Sequence, residues 1–138
     1  MAEGVRLRAA VVFVRNLDAS VPFYRELLDL EIVDNSSTAA LLGSADGSQL
    51  VLRAFGENAP RSLGSIGVQY VAWSTGSRED LDHRAEILRR HSAYRETRED
   101  EETIVVEGRD PDDLPIMIVY ARGNRPPMHE LPARIYAW

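Results

Sequence analysis

The feature that most constrains the fold is an order of strand-like and helix-like segments that occurs twice within 138 residues. In the first copy, Leu7 to Val14 (LRAAVVFV) is an unbroken apolar run of strand length, followed by the turn-like Arg15-Asn16-Leu17-Asp18. Asp18 suits a helix cap, and Pro22 is expected in the first turn, where a missing N–H is tolerated. Phe23/Leu27 and Tyr24/Leu28 are i,i+4 pairs, so an amphipathic helix of about three turns is predicted. Three short strand-like pieces follow, Leu30 to Val33, Thr38 to Leu42 and Gln49 to Phe55, with Ala45-Asp46-Gly47-Ser48 as a hairpin turn.

The second copy opens after a Gly-, Pro- and Ser-rich connector, GENAPRSLGS. Ile66 to Thr75 reads as a strand, and Ser77 with Asp80 makes a capping-box pattern before the apolar stripe Leu81, Ala85, Leu88. Tyr94 to Thr97, Thr103 to Glu107 and Pro115 to Tyr120 complete the set, the acidic Glu99-Asp100-Glu101-Glu102 between two of them reading as a solvated hairpin turn. Ala9 and Tyr70 stand 61 residues apart at like places in the copies, and Val51 and Met117 stand 66 apart. Similar offsets from independent landmarks argue for internal duplication. The expected fold is α+β, a single domain over 1–138. It holds two βαβββ modules in tandem, each a curled mixed β-sheet with a helix on its outer face. Module one covers about 5–55, the connector 56–65, module two about 66–121 and a C-terminal arm 122–138. The arm, rich in proline, ends in Ile135, Tyr136 and Trp138, apolar enough to dock on this chain or on a partner subunit.

Composition restricts the chemistry. There is no cysteine and all 16 basic residues are arginine, which removes thiolate nucleophiles, zinc–sulfur sites and lysine Schiff bases. A formal net charge of −6 has the wrong sign for a nucleic-acid binder. No apolar run reaches the roughly 18 residues that span a bilayer, and MAEGVRLRAA has no extended apolar core of a signal peptide, so neither membrane nor secretion is expected and the default location is the cytoplasm. His83 and His91 lie eight residues apart near the second helix, off one face, and His129 sits in the arm; they read as surface residues rather than a metal site.

The two modules resemble the vicinal oxygen chelate superfamily, the group of glyoxalase I, bleomycin-resistance proteins, fosfomycin-modifying enzymes and extradiol dioxygenases. The string Val14-Arg15-Asn16-Leu17-Asp18-Ala19-Ser20 with Phe23-Tyr24-Arg25, and Asp110-Pro111-Asp112-Asp113 before a strand, carry the resemblance together with the module order. It covers about residues 5 to 121. It implies two half-open cups enclosing a site, with metal ligands in the metal-dependent members on the first and last strands. Carried over by position, those slots are Ala9, Tyr70 and Met117, with Val51 at the matching place in the first half, and they do not make a divalent-metal set. No cofactor is therefore expected.

Strand alternation places Ala9, Val11 and Phe13 on the face of the slots, with Gln49, Val51, Arg53 and Phe55, and in the second module Tyr70, Ala72, Ser74, Pro115, Met117 and Val119. The candidate ligand-binding residues are Phe13, Val51, Arg53, Phe55, Tyr70, Glu107 and Met117, the aromatics as stacking surfaces and Met117 as an adaptable wall. The plain alternative for any single aromatic or Met on a strand is core packing, and Trp73, by parity with Val71 and Thr75, is assigned to the helix side. Glu107 is either edge-exposed or, if it faces the cup, paired with Arg53. No triad, P-loop or GxGxxG is present, and no catalytic residue is assigned.

The resemblance to the bleomycin-resistance branch then implies a metal-independent homodimer that sequesters a hydrophobic aromatic natural product or antibiotic in a cleft between subunits. The acidic net charge mildly favours a cationic ligand. The reading leans against catalysis. Its rivals are a cofactor-independent isomerase, cyclase or lyase using Glu107 or Tyr70, and a structural module whose terminal arm is the active part.

Overall fold

The repeated order is present twice in the structure, a computed structural model that describes residues 4–5, 7–60, 68 and 70–122. The first copy runs β1 (Ala9–Val14), α1 (Leu17–Leu28), β2 (Glu31–Asn35), β3 (Ala39–Gly43) and β4 (Gln49–Ala54). The second runs β5 (Val71–Ser74), α2 (Arg78–Arg90), β6 (Tyr94–Glu99), β7 (Thr103–Arg109) and β8 (Pro115–Ala121). Each copy is a four-stranded mixed sheet with one helix, which makes the chain α+β with two βαβββ modules in tandem. The chain divides into two compact units, Met1–Ser62 and Leu63–Trp138.

In the first unit the strand order is β1-β4-β3-β2, with β1 parallel to β4 and the other pairs antiparallel. Helix α1 begins two residues earlier than its sequence signals indicate. Asn16, in extended conformation, is the cap, and its Oδ1 accepts the Asp18 N–H at 2.7 Å. Asp18 instead lies in the first turn, where a carboxylate meets the positive end of the helix dipole. Starting at Leu17 also puts Pro22 in the second turn rather than the first, so the Asp18 carbonyl has no i+4 N–H to accept. The helix ends on Asp29 in the left-handed region, and the Leu30 N–H reaches back to the Arg25 carbonyl. Leu30 thus belongs to the helix stop, and the next strand begins at Glu31 instead of Leu30.

Phe23, Tyr24 and Leu27 of α1 are buried, as are Ala40, Leu42, Leu50 and Leu52 of the strands on which it packs. The turn between β3 and β4 is closed by Asp46, which accepts from the Ser44 hydroxyl, the Ser48 N–H at 3.0 Å and the Ser48 hydroxyl at 2.7 Å. Those donors, Ser44 foremost, hold its carboxyl at about 2. Gly47 supplies the positive φ, 92°, that the turn needs.

The second unit repeats the plan with order β5-β8-β7-β6 and β5 parallel to β8. Val11 pairs with Val51 in the first sheet and Ala72 with Met117 in the second, so the hydrogen-bonded registers carry the same offsets of 61 and 66 residues that the sequence shows. Ser77 caps α2 as its pattern predicts, accepting the Asp80 N–H at 3.0 Å. Leu81, Ala85, Ile87 and Leu88 of the helix are buried, along with Ile104, Val106, Ile116 and Ile118 of the sheet. Trp73, opposite Ile118 in the register, is half-buried.

At Gly108 the sheet leaves no room for a side chain beneath Leu88 and Ala93. A Cβ there would lie 2.7 Å from Leu88 Cδ2 and 2.9 Å from the Ala93 carbonyl oxygen. The acidic turn between β6 and β7 is built on Asp100, which accepts the N–H groups of Glu102 and Thr103 at 2.7 and 2.8 Å, while Arg122 pairs with Glu99. His83 is exposed on α2, and His91, also exposed, is its C-cap. Within the expected β5 run, residues 66, 67 and 69 lie outside the described residues, as do His129 and the arm beyond Arg122. Among the described residues no helix is long and apolar enough to cross a membrane.

Candidate functional site

Alternation in the first sheet sorts its side chains cleanly. Val14, Ala40, Leu42, Leu50 and Leu52 face α1 and are buried, so their alternates Ala9, Val11, Phe13, Gln49, Val51, Arg53, Ala39 and Leu41 share the opposite face. That face is open. Val11 is 62% exposed, Phe13 60% and Phe55 53%, while Val51 is half-buried and Arg53 exposed.

Two phenyl rings that exposed would ordinarily scatter, yet Phe13 and Phe55 lie stacked, with centroids 4.2 Å apart and planes 17° from parallel. They come together because Phe13 is the register partner of Arg53 and Phe55 follows two residues later, on the same side. The Arg53 guanidinium lies 5.8 Å from the Phe55 centroid, at the reach of a cation–π contact. The structure thus gathers four of the seven expected ligand-binding residues, Phe13, Val51, Arg53 and Phe55, on one surface. Val11 belongs with them; its place on strand one was legible from parity, and its exposure was not.

The other three lie in the second unit, where the corresponding face is not open. Met117 is 0% exposed and Glu107 3%, and they are register partners on β8 and β7. Tyr70 is half-buried and packs against the buried cluster of Val105, Met117 and Val119. Glu107 is therefore not at an exposed edge: β7 lies between β6 and β8. Its carboxylate sits 3.5 Å from Arg109 of the same strand. Arg109 went unnoticed in the sequence, although the i,i+2 spacing puts 107 and 109 on one strand face. A buried carboxylate beside a guanidinium satisfies the demand that burial of a charge places on its surroundings.

The positions to which the family resemblance would carry metal ligands are Ala9, Tyr70 and Met117, with Val51 at the matching place in the first module. Two carry no donor, one carries a phenol and one a thioether, a set that does not fit a divalent cation. Among the described residues, no three histidine or carboxylate side chains are grouped so as to hold a metal ion.

Comparison with known proteins agrees with this architecture. The model of the glyoxalase/bleomycin resistance protein/dioxygenase superfamily matches residues 6–118. A glyoxylase/bleomycin resistance protein/dioxygenase domain from Frankia sp. EAN1pec superposes with a TM-score of 0.71 at 25% identity, covering 91% of this chain and 96% of that one. A glyoxalase/dioxygenase from Nostoc punctiforme gives 0.75 at 17% identity, covering 89% and 97%. The lactoylglutathione lyase of Agrobacterium tumefaciens gives 0.66 at 14% identity, covering 86% and 96%. No curated protein matches the chain significantly. The duplicated βαβββ plan, the matching registers of the two sheets and a family match over most of the sequence lead to one conclusion: the chain belongs to the glyoxalase/bleomycin resistance protein/dioxygenase superfamily.

Proposed function

We propose that this chain is a metal-independent, cytoplasmic binding protein that acts as a homodimer and sequesters a hydrophobic, aromatic natural product or antibiotic. The observation that carries the reading is the stacked, exposed pair Phe13 and Phe55 on a sheet face that also presents Val11 and Val51. A phenylalanine side chain offers on the order of 150–250 Å² for burial. Covering the exposed half of each ring at about 25 cal/mol per Å² returns roughly 2–3 kcal/mol per ring, which a flat aromatic ligand would collect by stacking. Sequestration needs affinity and no bond-making, and the donor-poor slots at Ala9, Val51, Tyr70 and Met117 are in keeping with that. In this reading Phe13, Val51, Arg53 and Phe55 contact the ligand.

The test is capture. Purified protein is incubated with a panel of aromatic and glycopeptide antibiotics, and the bound fraction is released and identified by mass spectrometry. Enrichment of one compound, recovered unchanged and lost with Phe13→Ala/Phe55→Ala, is the expected result. A time-dependent product of altered mass, absent with Glu107→Gln, would replace sequestration with catalysis.

A further inference from the structure

Resting on that reading, we infer that the ligand of the first unit's open face is a planar aromatic anion, a carboxylate or phenolate, held by Arg53 while its ring stacks on Phe13 and Phe55. The acidity of the whole chain points the other way, toward a cation, so the local geometry has to decide. Arg53 is exposed and, among the described residues, its guanidinium makes no hydrogen bond or ion pair; it lies 5.8 Å from the Phe55 ring centroid. Its cross-strand neighbours on this face are Phe13 on one side and Ala39 on the other, neither of which carries charge.

The register places two acidic residues on the same face, Glu31 opposite Gly43 and Asp34 opposite Leu41. Both lie on β2, two strands from β4, about 10 Å away at the ordinary strand spacing. Asp34 is moreover occupied, accepting the Asn35 N–H at 2.9 Å. At physiological salt the screening length is about 8 Å, so the remainder of the acidic charge acts weakly at Arg53. The surface therefore couples an apolar stacking platform to a guanidinium whose planar fork of donors binds no anion among the described residues, and that fork matches a carboxylate in two parallel hydrogen bonds. A neutral aromatic would use the platform and waste the fork. A cationic one would bring like charge against Arg53.

The experiment uses the full chain and three probes of one ring system: naphthalene carboxylate, the neutral naphthalene carboxamide, and naphthylmethylammonium, each titrated by calorimetry. A charge-assisted hydrogen-bonded pair corresponds to about 10–100-fold in affinity. The carboxylate is expected to bind tighter than the carboxamide by that factor. Arg53→Gln, an exposed change whose folding is checked by circular dichroism, should remove the preference by lowering carboxylate affinity far more than carboxamide affinity. Phe13→Ala/Phe55→Ala should weaken both. Equal binding of carboxylate and carboxamide, lost with the two Phe changes, would overturn the anion and leave aromatic binding standing. Tightest binding of the ammonium probe would overturn it as well. Failure of all three probes would overturn aromatic binding and the anion together. If the Phe variants instead dissociate a dimer in sedimentation and no probe binds, a second copy occupies the face and the inference fails.

Discussion

Gly108→Ala tests the close packing of α2 and the segment after it against β7. With no steric conflict, adding a methyl at a strand glycine would stabilise the protein by about 0.4–1 kcal/mol, because alanine has less backbone freedom to lose on folding. Here the new Cβ would stand 2.7 and 2.9 Å from the Leu88 methyls and 2.9 Å from the Ala93 carbonyl oxygen. The methyls can swing aside. The carbonyl cannot, since it is backbone and accepts the Arg109 N–H at 2.9 Å, the bond that joins the end of α2 to β7. Overpacking of this kind costs about 1–3 kcal/mol, which outweighs the entropic gain and leaves a net loss of roughly 1–2 kcal/mol. With a urea slope of about 1–3 kcal/mol per M, the midpoint should fall by roughly 0.5–1 M. In a double-mutant cycle with Leu88→Ala, part of the conflict disappears and the Gly108 change should cost less than it does alone. An unchanged or raised midpoint for Gly108→Ala would refute the reasoning, because it would mean that α2 does not press on β7.

The remaining predictions concern caps and charges. Asp46, held at about 2 by the Ser44 hydroxyl and the Ser48 donors, should titrate in a carboxyl-carbon NMR experiment well below 3.8, the value it has when unfolded. Because its folded value is depressed, its stabilisation is complete above the unfolded value and disappears as pH falls through about 2; Ser44→Ala should raise the midpoint, and a wild-type midpoint near 3.8 would contradict the turn geometry. Ser77→Ala removes the α2 cap and should cost about 1 kcal/mol in thermal or urea unfolding, whereas Ser77→Asp should restore most of it. Arg109→Met leaves Glu107 buried without its guanidinium and should destabilise by about 3 kcal/mol, the low end for a broken buried pair because Arg109 is partly exposed; a loss no larger than that of Arg95→Met at the surface would show that Glu107 is satisfied without it.

Local signals in the sequence were legible where one residue's chemistry decides the outcome. The Ser77 cap, the Asp46-Gly47 turn and the acidic Asp100 turn all lie where the sequence places them, since each needs only a side-chain acceptor and nearby N–H groups. The start of α1 was misplaced for the same kind of reason. Asn16 and Asp18 are both good caps, and which one serves depends on where β1 releases the chain. Histidines at 83 and 91 read correctly as surface groups.

What the sequence alone determined is the duplication and the side of the sheet each strand residue occupies, because side-chain alternation is a property of the extended backbone itself. It placed Phe13, Val51, Arg53 and Phe55 together, and it left open whether Glu107 lies at an edge or faces the cup. Whether a face is covered is another matter. The two sheets share one topology and equivalent registers, yet Phe13 and Phe55 stand more than half exposed while Met117 and Glu107 are buried. Burial depends on what the rest of the chain lays against a face, and no period in the local sequence encodes that. The tertiary structure therefore decided that the first sheet presents a stacking surface with a guanidinium beside it, and that Glu107 answers to Arg109.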